Sequence, residues 1–572
     1  MVKSYIEWSV RCVLSGLGPT HTIMYYSQWC WMTDSEIAMG LSLARIFADG
    51  MVLQRGVRVS IWGTGEPGAQ VEAVVQGKRA TTFCDPDGSW HATIVSLEPS
   101  EEETLVVTAG DERVEVRDVA VGEVFVAAGQ SNMEFWMRYD RDAEQFRPRC
   151  HNPRIRFFDV PKCSYPGQTA DFDYSKVGIW RKATPEDLDY FSAVGYHFAR
   201  RIEAELGIPV GIVGCNYGGT VSSAWMRPDH VPEVQPEQAA SFAAKLDGLP
   251  YEELLAYGRL NPKNDKGYAI WPAWNEFFLP HTPTAQEVAA FMGEQVPGGA
   301  GQADVGGLDI SDGAGQADGE EDSSAVERLG MMTPTKEAPG ALFRHMVLSV
   351  AGFAARGVLW YQGESDDEFD GSQWRYERAL RTIIDDWREA WRDPELPFFV
   401  VQLPGFGSWM GIEPHDYATI RGCQQRVTDT CDHAWLCSIG DVGDEHDIHP
   451  KVKRPVGERL ALLALQHLLG RDVLADAPRC VRAEQCGRCI ALTFDNVGEG
   501  LALDGKTVEA LEVRCDGEPA GFSTRVDGTR LLLELESEPA GQVTVRFAQS
   551  NWYRINLHNE AHVPALPFVI DC

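Results

Sequence analysis

Short runs in which apolar and polar side chains alternate lie near both ends of the chain. Val57–Trp62 and Val543–Phe547 are examples, and turns that contain Gly, Pro or Asp separate such runs. Alternation with a period of two predicts half-buried β-strands, and turns at this spacing are typical of sandwich-like β domains. We therefore predict an N-terminal β-sandwich domain at 42–117 and a C-terminal β domain at 475–572.

The middle of the chain has a different pattern of apolar positions. Val124–Ala128 is a continuous apolar run that ends at a glycine, and Pro209–Val213 resembles it. Between these runs, apolar side chains recur every three or four residues from 191 to 206, which predicts an amphipathic helix. Buried strands that alternate with such helices predict an α/β domain with a parallel sheet. We assign this domain to 118–474.

Two segments fit neither pattern. Residues 1–41 carry three tryptophans among polar residues without a period, so our hypothesis is that they form an atypical, non-native leader. The stretch at about 287–339 is rich in Gly and acidic residues and poor in aromatic ones, which predicts a flexible insertion. The sequence contains no convincing signal peptide and no apolar run of membrane-spanning length, so we expect a cytoplasmic protein that does not enter a membrane.

The charge and the cysteines exclude several kinds of partner. The chain carries 84 acidic and 51 basic residues, a formal net charge of -33. Because such a surface repels phosphate groups, we expect no binding to nucleic acid. The 14 cysteines include a single closely spaced pair, Cys486 and Cys489. A structural zinc needs four ligands, so we predict no metal site and no cofactor. The sequence leaves the oligomeric state open.

The strongest chemical feature is Ser131, in the segment Gly129–Met133 directly after the first buried strand. A serine at the carboxyl end of a parallel strand lies at the edge where such sheets bind ligands. There it can act as a nucleophile, with backbone N–H groups of a following helix near the developing oxyanion. The alternative is that Ser131 caps that helix.

A serine nucleophile needs a base, and His449 is the best candidate. It lies in an acidic loop, Asp441–Pro450, between an apparent strand and the last helix of the α/β domain. Nearby carboxylates can orient an imidazole and stabilise its charged form. His446 competes for this role but lacks the proline that follows His449. A surface ion pair is the alternative explanation for a histidine in such a loop.

Two further segments also follow predicted strands. Asn216–Thr220 contains a Gly pair that lets a backbone N–H approach a substrate, and Trp360–Glu364 contains the side-chain amide of Gln362. Either segment alone is typical of an ordinary turn. All of these segments fall at strand ends of one predicted sheet, and this convergence favours an esterase.

The same segments resemble the sialate O-acetylesterase family of the SGNH (GDSL-like) hydrolase superfamily, from about Leu43 to the end of the chain. The motifs that carry the resemblance are Phe47–Gln54, Val121–Val124, Gly129–Glu134, Tyr217–Thr220, Ala224–Trp225, Leu359–Ser365, Asp447–Pro450, Gly457–Ala461 and Ala565–Phe568. The fold implied is a flavodoxin-like three-layer α/β/α sandwich without metal or organic cofactor.

The resemblance also implies roles for individual residues. The family's nucleophile falls on Ser131 and its catalytic histidine on His449. The glycine oxyanion donor falls on Gly218 or Gly219, of which we choose Gly219, and a further amide donor falls on Gln362. Together with the Ser131 backbone, these groups would form the oxyanion hole.

The orienting acid departs from the superfamily pattern. Many members place it three residues before the histidine, where this chain has His446. Asp447 is therefore the first choice and Asp444 the second, and a Ser-His dyad remains open.

The resemblance implies an acetylated carbohydrate substrate, with acetylated sialate first and acetyl-xylan or another plant polysaccharide as the alternative. A non-catalytic carbohydrate-binding protein is the alternative from another class. We expect four residues of these motifs to contact the substrate: Asn132, Trp225, Trp360 and Glu364. Three cations are candidates for binding a sugar carboxylate: Arg138, Arg227 and Lys451.

Overall fold

The computed structural model describes residues 40–165, 177–246, 335–369, 371, 373–409 and 412–572. Residues 1–39 of the predicted leader and residues 287–334 of the predicted insertion lie outside the described residues.

The strands of the described residues fall into three groups along the chain. The first group comprises β1 Ser42–Leu43, β2 Val52–Gln54, β3 Arg58–Thr64, β4 Gln70–Val75, β5 Lys78–Phe83, β6 Ser89–Val95, β7 Ser100–Ala109 and β8 Glu112–Gly129. The second comprises β9 Asn152–Asp159, β10 Trp180–Ala183, β11 Val210–Asn216, β12 Gly357–Tyr361, β13 Phe398–Val401 and β14 Ala434–Cys437. The third comprises β15 Arg479–Cys486, β16 Cys489–Asp495, β17 Ala502–Leu503, β18 Leu511–Cys515, β19 Glu518–Pro519, β20 Phe522–Asp527, β21 Arg530–Leu535, β22 Val543–Phe547, β23 Leu557–His558 and β24 Phe568–Asp571.

The α-helices of the described residues lie between β8 and β15. They are α1 Ser131–Glu134, α2 Ala143–Phe146, α3 Pro185–Leu188, α4 Ala193–Leu206, α5 Val231–Val234, α6 Pro236–Lys245, α7 Leu348–Val350, α8 Tyr376–Trp391, α9 Tyr417–Thr430 and α10 Arg454–His467. A π-helical turn, Phe343–Val347, leads into α7, and short 3-10 turns occur elsewhere. None of the helices in these described ranges has the length and apolar character needed to cross a bilayer.

The central sheet has the strand order β10-β9-β11-β8-β12-β13-β14. All of its strands are parallel except β10, which pairs antiparallel with β9 at one edge. The strands β11, β12 and β13 are fully buried, as continuous apolar runs in a covered sheet should be. Parallel strands connected through α4, α8 and α9 confirm the predicted α/β class.

One strand connects the N-terminal region with the central sheet. Strand β8 pairs antiparallel with β7 over its first half and parallel with β11 and β12 over its second half. The predicted boundary between 117 and 118 falls inside this strand. The apolar residues on both sides of it form one continuous core, whereas the strands after 489 enclose a separate core.

The carboxyl ends of β8, β11 and β12 lie level with one another. Gly129 at the end of β8 is paired with Asn216 on one side and Tyr361 on the other. A side chain is excluded at position 129, because a Cβ would lie 2.0 Å from the Tyr361 carbonyl oxygen and the φ angle is +131°. The segments that follow these three strands therefore leave the sheet at one edge.

Candidate active site

Ser131 is the first residue of α1, and it begins that helix immediately after β8. Gln130 occupies the N-cap position without a side-chain capping bond, so the alternative in which Ser131 is the cap is wrong. The Ser131 side chain is half-buried, and its hydroxyl lies 2.8 Å from Nε2 of His449. This hydroxyl is therefore in hydrogen-bond contact with an imidazole at the edge of the sheet.

His449 lies in the loop between β14 and α10, 318 residues from its serine partner. Its side chain is almost fully buried, and its Nε2 atom is within the distance at which a base takes a proton from a nucleophile. The competing histidine, His446, instead lies with Nδ1 3.5 Å from the Ser408 hydroxyl. The structure thus brings the two principal sequence candidates together and leaves His446 aside.

The second ring nitrogen of His449 has no acid bound to it. The nearest oxygen of Asp447 lies 3.9 Å from Nδ1, beyond hydrogen-bond distance, and Nδ1 has no other partner within the described residues. That oxygen accepts the backbone N–H of His449 at 2.8 Å, and the other is 2.8 Å from Nζ of Lys451. Asp444 accepts the backbone N–H of His446 instead. The contact between Ser131 and His449 is therefore a dyad in this structure.

The electrostatic environment keeps His449 uncharged. Burial lowers the pKa of its imidazole well below the usual 6.5, and the ammonium groups of Lys451 and Lys453 lower that pKa further. An imidazole with a lowered pKa is neutral near pH 7 and is free to accept the serine proton.

An aromatic side chain supports the His449 ring. Trp409 lies edge-to-face against it, with ring centroids 5.4 Å apart. The Trp409 loop follows β13, and backbone N–H groups of Gly407 and Ser408 hold it to the carbonyl of Glu445. The sequence analysis missed Trp409, although its position after a parallel strand of the same sheet is a signal that could have found it.

The glycine pair after β11 offers one unused backbone donor. The N–H of Gly218 donates to Oε2 of Glu134 at 2.8 Å. Gly219 is exposed and has a φ angle of +61°. Within the described ranges, neither the Gly219 N–H nor the Ser131 N–H donates to an acceptor. Of the two glycines, Gly219 is therefore the one with a hydrogen available for a ligand.

Gln362 does not serve as an oxyanion donor in this structure, which corrects the prediction from the sequence. Its side chain is fully buried, and its amide nitrogen donates to the Thr220 carbonyl at 3.1 Å and to Asp366 at 2.6 Å. Its amide oxygen accepts the Tyr376 hydroxyl at 2.9 Å. Because both amide hydrogens are in use, none remains for a substrate.

The two predicted substrate-binding tryptophans belong to the core. Trp225 and Trp360 are fully buried and lie edge-to-face with centroids 6.0 Å apart, and Trp387 of α8 packs against both. The Trp225 indole donates to the Thr220 hydroxyl. Neither indole is accessible to a sugar, so both assignments are wrong. Both rings pack against Trp387 in the core.

Asn132 and Glu364 are also too deeply buried to contact a substrate, with exposures of 1% and 4%. The Asn132 amide donates to Oε1 of Glu364 at 2.6 Å and to the Ile448 carbonyl at 2.9 Å. Its oxygen accepts from Nζ of Lys453, a residue that the sequence analysis did not single out. Both assignments to substrate binding are therefore corrected to membership of a buried network behind Ser131.

This network carries two ionisable groups with strongly shifted pKa values. Burial raises the pKa of Glu364 to about 7. Burial, followed by the charge of Lys451, lowers the pKa of Lys453 to about 7. The sequence did not indicate that Glu364 and Lys453 belong to one network, because the two residues are far apart along the chain and no shared motif contains both.

The three cations that the sequence suggested for binding a sugar carboxylate have different partners in the structure. Arg227 pairs with Asp229 and Glu389. Lys451 pairs with Asp447, and Arg138 lies over the rings of Tyr139 and Tyr190.

Two further lysines lie closer to the glycine pair. The Nζ atoms of Lys162 and Lys336 are 5.2 and 5.1 Å from the ring centre of Tyr217. Lys336 donates to the Gly218 carbonyl at 2.7 Å, and Lys162 pairs with Glu134 at 3.2 Å. Lys336 therefore places positive charge beside Gly219, whereas the charge of Lys162 is paired with Glu134. They were not among the sequence candidates because Lys162 follows β9, which carries none of the motifs, and Lys336 lies inside the predicted insertion.

The described part of the chain contains no group of three or more His, Cys, Asp or Glu side chains arranged to hold a metal ion. Cys486 and Cys489 face each other across the turn of the β15–β16 hairpin. The groups that meet at the sheet edge are a serine, an imidazole and backbone donors, the set required for acyl transfer.

Comparisons with known proteins agree with this chemistry. Residues 333–465 match the family model described as carbohydrate esterase, sialic acid-specific acetylesterase. The chain is similar to the sialate O-acetylesterase of Mus musculus, with 23% identity over 93% of this chain and 94% of the relative. The corresponding values for the sialate O-acetylesterase of Homo sapiens are 22%, 94% and 94%.

A solved structure shows the same similarity in three dimensions. The crystal structure of a carbohydrate acetylesterase from Xanthomonas citri matches with a TM-score of 0.66 and 26% identity over 93% of this chain and 99% of that one. The matched family segment contains His449 but begins after Ser131, whereas the longer similarities extend over nearly the whole chain. The comparisons confirm the resemblance to the sialate O-acetylesterase family and support carbohydrate O-acetylesterase activity.

Proposed function

We propose that this protein removes acetyl groups from a carbohydrate through an acyl-enzyme on Ser131, with His449 as general base and acetylated sialate as the preferred substrate class. The single observation that carries this function is the 2.8 Å contact between the Ser131 hydroxyl and Nε2 of His449. Four relatives that carry the name sialate O-acetylesterase support the choice of sugar.

The reaction proceeds in two acyl transfers. His449 accepts the hydroxyl proton while Ser131 Oγ bonds to the acetyl carbonyl carbon, and the charge moves to the carbonyl oxygen. As the tetrahedral intermediate collapses, the ester bond breaks, and His449 returns its proton to the departing sugar hydroxyl. Water, deprotonated by His449, then attacks the carbonyl carbon of the acetyl-serine. The bond between this carbon and Ser131 Oγ breaks, His449 returns the proton to Oγ, and acetate leaves.

The oxyanion is held by the backbone N–H groups of Ser131 and Gly219. Both lack an acceptor within the described residues, and Gly219 is exposed. Loss of one such donor typically lowers kcat by about 10²–10³. Gln362 has no place in this step, because Thr220 and Asp366 occupy its amide hydrogens.

The parallel order of the central strands supports an SGNH-type three-layer α/β/α arrangement around the site. We assign the β regions at 42–117 and 475–572 to flanking domains. The flanking regions carry none of the groups in the mechanism.

The charge around Gly219 favours an anionic sugar. The protein has a net charge of -33, which repels a sialate carboxylate, yet Lys162 and Lys336 lie beside the glycine pair. Lys162 is paired with Glu134, so the ammonium of Lys336, which donates to the Gly218 carbonyl, is the group that offsets the repulsion locally. A neutral acetylated xylo-oligosaccharide gains nothing from this charge, and we therefore rank acetyl-xylan second.

The test is acetate release from a 9-O-acetylated sialate, an acetylated xylo-oligosaccharide and an aryl acetate. We expect all measured hydrolysis to disappear in Ser131→Ala and the sialate to have the highest kcat/KM. The matched control is Ser349→Ala, which removes a hydroxyl that donates to the Met346 carbonyl away from the site and should leave the rates unchanged. Equal activity in Ser131→Ala and the parent would contradict the mechanism, and absence of any hydrolysis would favour a carbohydrate-binding protein.

A further inference from the structure

The residue that follows the proposed nucleophile connects three separate parts of the chain. The Asn132 side chain belongs to α1, its partner Glu364 follows β12, and its other partners, Ile448 and Lys453, lie in the loop that carries His449. The side chains of Asn132, Glu364 and Lys453 are almost fully buried and are therefore shielded from solvent.

The polarity of the contacts fixes the Asn132 amide in one orientation. Its nitrogen donates to the Glu364 carboxyl and to the Ile448 carbonyl, and its oxygen accepts from the Lys453 ammonium. A rotated amide would place NH₂ against NH₃⁺ and an oxygen against two acceptors. In a buried site each such mismatch leaves polar groups without partners, which is strongly unfavourable.

The network also fixes the histidine loop at two points. The Ile448 carbonyl directly precedes His449, and Lys453 is the N-cap residue of α10. The backbone N–H of Lys453 donates to Asp140 at 3.0 Å. Because no acid among the described residues binds Nδ1 of His449, the register between the serine and the imidazole depends on contacts of this kind.

We propose that Lys453, Asn132 and Glu364 are positioning residues that hold the nucleophile turn and the histidine loop in register for acetyl transfer. This inference rests on the proposed function and adds to it the role of an internal Glu-Asn-Lys chain. The Lys453 ammonium has a second effect through its charge, since it opposes protonation of His449.

The groups that face Lys453 come from several elements. They are Lys451 and Asp447 in its own loop, Glu364 after β12, and Asp140 after the 3-10 turn that follows α1. The rings of Phe135 and Tyr361 lie 4.7 and 5.6 Å from its Nζ. Lys453→Met removes one positive charge near His449 and leaves Lys451 in place. The imidazole then binds protons at higher pH, so the acid limb of the activity profile moves upward.

The experiment measures kcat and KM on an aryl acetate, over the pH range in which each protein remains folded, for Lys453→Met, Asn132→Ala and the double variant. We expect Lys453→Met to lower the plateau kcat by about 10–100-fold, in keeping with small misplacements of reacting groups, with KM within about threefold of the parent. We expect the acid limb to move to higher pH. Because both variants break one network, the double variant should be no slower than about threefold below the slower single variant.

Two variants separate positioning from charge and from folding. Lys451→Met removes the other cation near His449 without touching Asn132, so it should move the acid limb while lowering the plateau kcat less than Lys453→Met does. The paired variant Glu364→Gln with Lys453→Met removes both ionisable groups together, and it supplies a folded protein if the single charge removal unfolds the chain. Lys182→Met is the control variant. Its ammonium pairs with Asp118 in the first half of β8, away from the carboxyl end of that strand, and the variant should match the parent.

A plateau kcat within about twofold of the parent in both Lys453→Met and the paired variant would overturn the positioning role, as would losses in Lys453→Met and Asn132→Ala that multiply in the double variant. Either result leaves the proposed function intact as long as Ser131→Ala is inactive. Full activity in Ser131→Ala would instead remove the proposed function itself.

Discussion

Replacing Asp447 with Asn tests whether the imidazole works without an orienting acid. In the structure, one Asp447 oxygen is 3.9 Å from Nδ1 of His449 and accepts the His449 backbone N–H at 2.8 Å. The other oxygen pairs with Lys451 at 2.8 Å. The amide of the variant keeps an oxygen for the backbone N–H and removes only the carboxylate charge, so Asp447→Asn separates the loop contact from the effect on the imidazole.

The expected loss of activity follows from these distances. When the acid of a triad binds the imidazole directly, its replacement by Asn lowers kcat by about 10⁴. Here Asp447 and Nδ1 form no hydrogen bond, so the substitution does not remove a charge-assisted bond of about 1.5–3 kcal/mol. At 3.9 Å, the attraction between the carboxylate and an imidazolium is about 4 kcal/mol at an effective dielectric constant near 20, and the Lys451 ammonium offsets most of it. We therefore expect Asp447→Asn to lower kcat by about tenfold, roughly 1.4 kcal/mol.

The assay is steady-state hydrolysis of an aryl acetate near pH 8, where His449 is neutral in the parent and the variant. Asp447→Ala is the matched control, since it also removes the acceptor of the His449 backbone N–H and should lower kcat more than Asp447→Asn does. Thermal unfolding of both variants shows whether the loop remains folded. A fall of about 10³–10⁴ in Asp447→Asn would refute the reasoning, because it would mean that the carboxylate closes onto Nδ1 during the reaction.

Three further predictions concern the base, its aromatic neighbour and the corrected glutamine. The acid limb of kcat/KM should lie well below pH 6.5, because the lowered pKa of His449 keeps the imidazole neutral until the pH falls through that value; a limb near pH 7 would contradict this. Trp409→Ala should lower kcat about tenfold and Trp409→Phe much less, because edge-to-face packing contributes about 1 kcal/mol to the orientation of the His449 ring. Steady-state kinetics of the two variants test this, and equal rates would exclude the role. Gln362→Leu should lower the free energy of unfolding in urea by about 1–3 kcal/mol by removing the partner that Asp366 and Tyr376 share, while kcat of the folded protein falls less than about tenfold; a loss of about 10²–10³ in kcat would restore Gln362 as an oxyanion donor.

The meeting of Ser131 and His449 was predictable because it depends on topology. The serine comes shortly after an apolar strand that ends at a glycine, and the histidine comes after a later strand of the same sheet. Both side chains are therefore expected at the carboxyl edge of that sheet. Pairing of Gly129 with Asn216 and Tyr361 brings the remaining segments to the same level. The α/β class followed from the same apolar runs.

The direction of individual side chains at that edge was not predictable. Gln362 and Glu364 are two residues apart after one strand, yet Gln362 turns toward Asp366 and Glu364 turns toward Asn132. The partner of each side chain is either more than 100 residues away along the chain or lies in a turn whose geometry leaves no pattern in the sequence. Trp225 and Trp360 were misassigned for the same reason, since an aromatic residue near a strand end packs into the core as readily as it faces a ligand.

The measurement that tests the central claim most directly is the mass of the protein quenched during turnover of an acetylated substrate. If Ser131 is the nucleophile and His449 its base, peptide mapping finds one acetyl group on Ser131 in the parent and none at this position in Ser131→Ala or His449→Ala. Hydrolysis that continues in the parent with the acetyl group on another residue, or with full turnover in His449→Ala, would contradict the account.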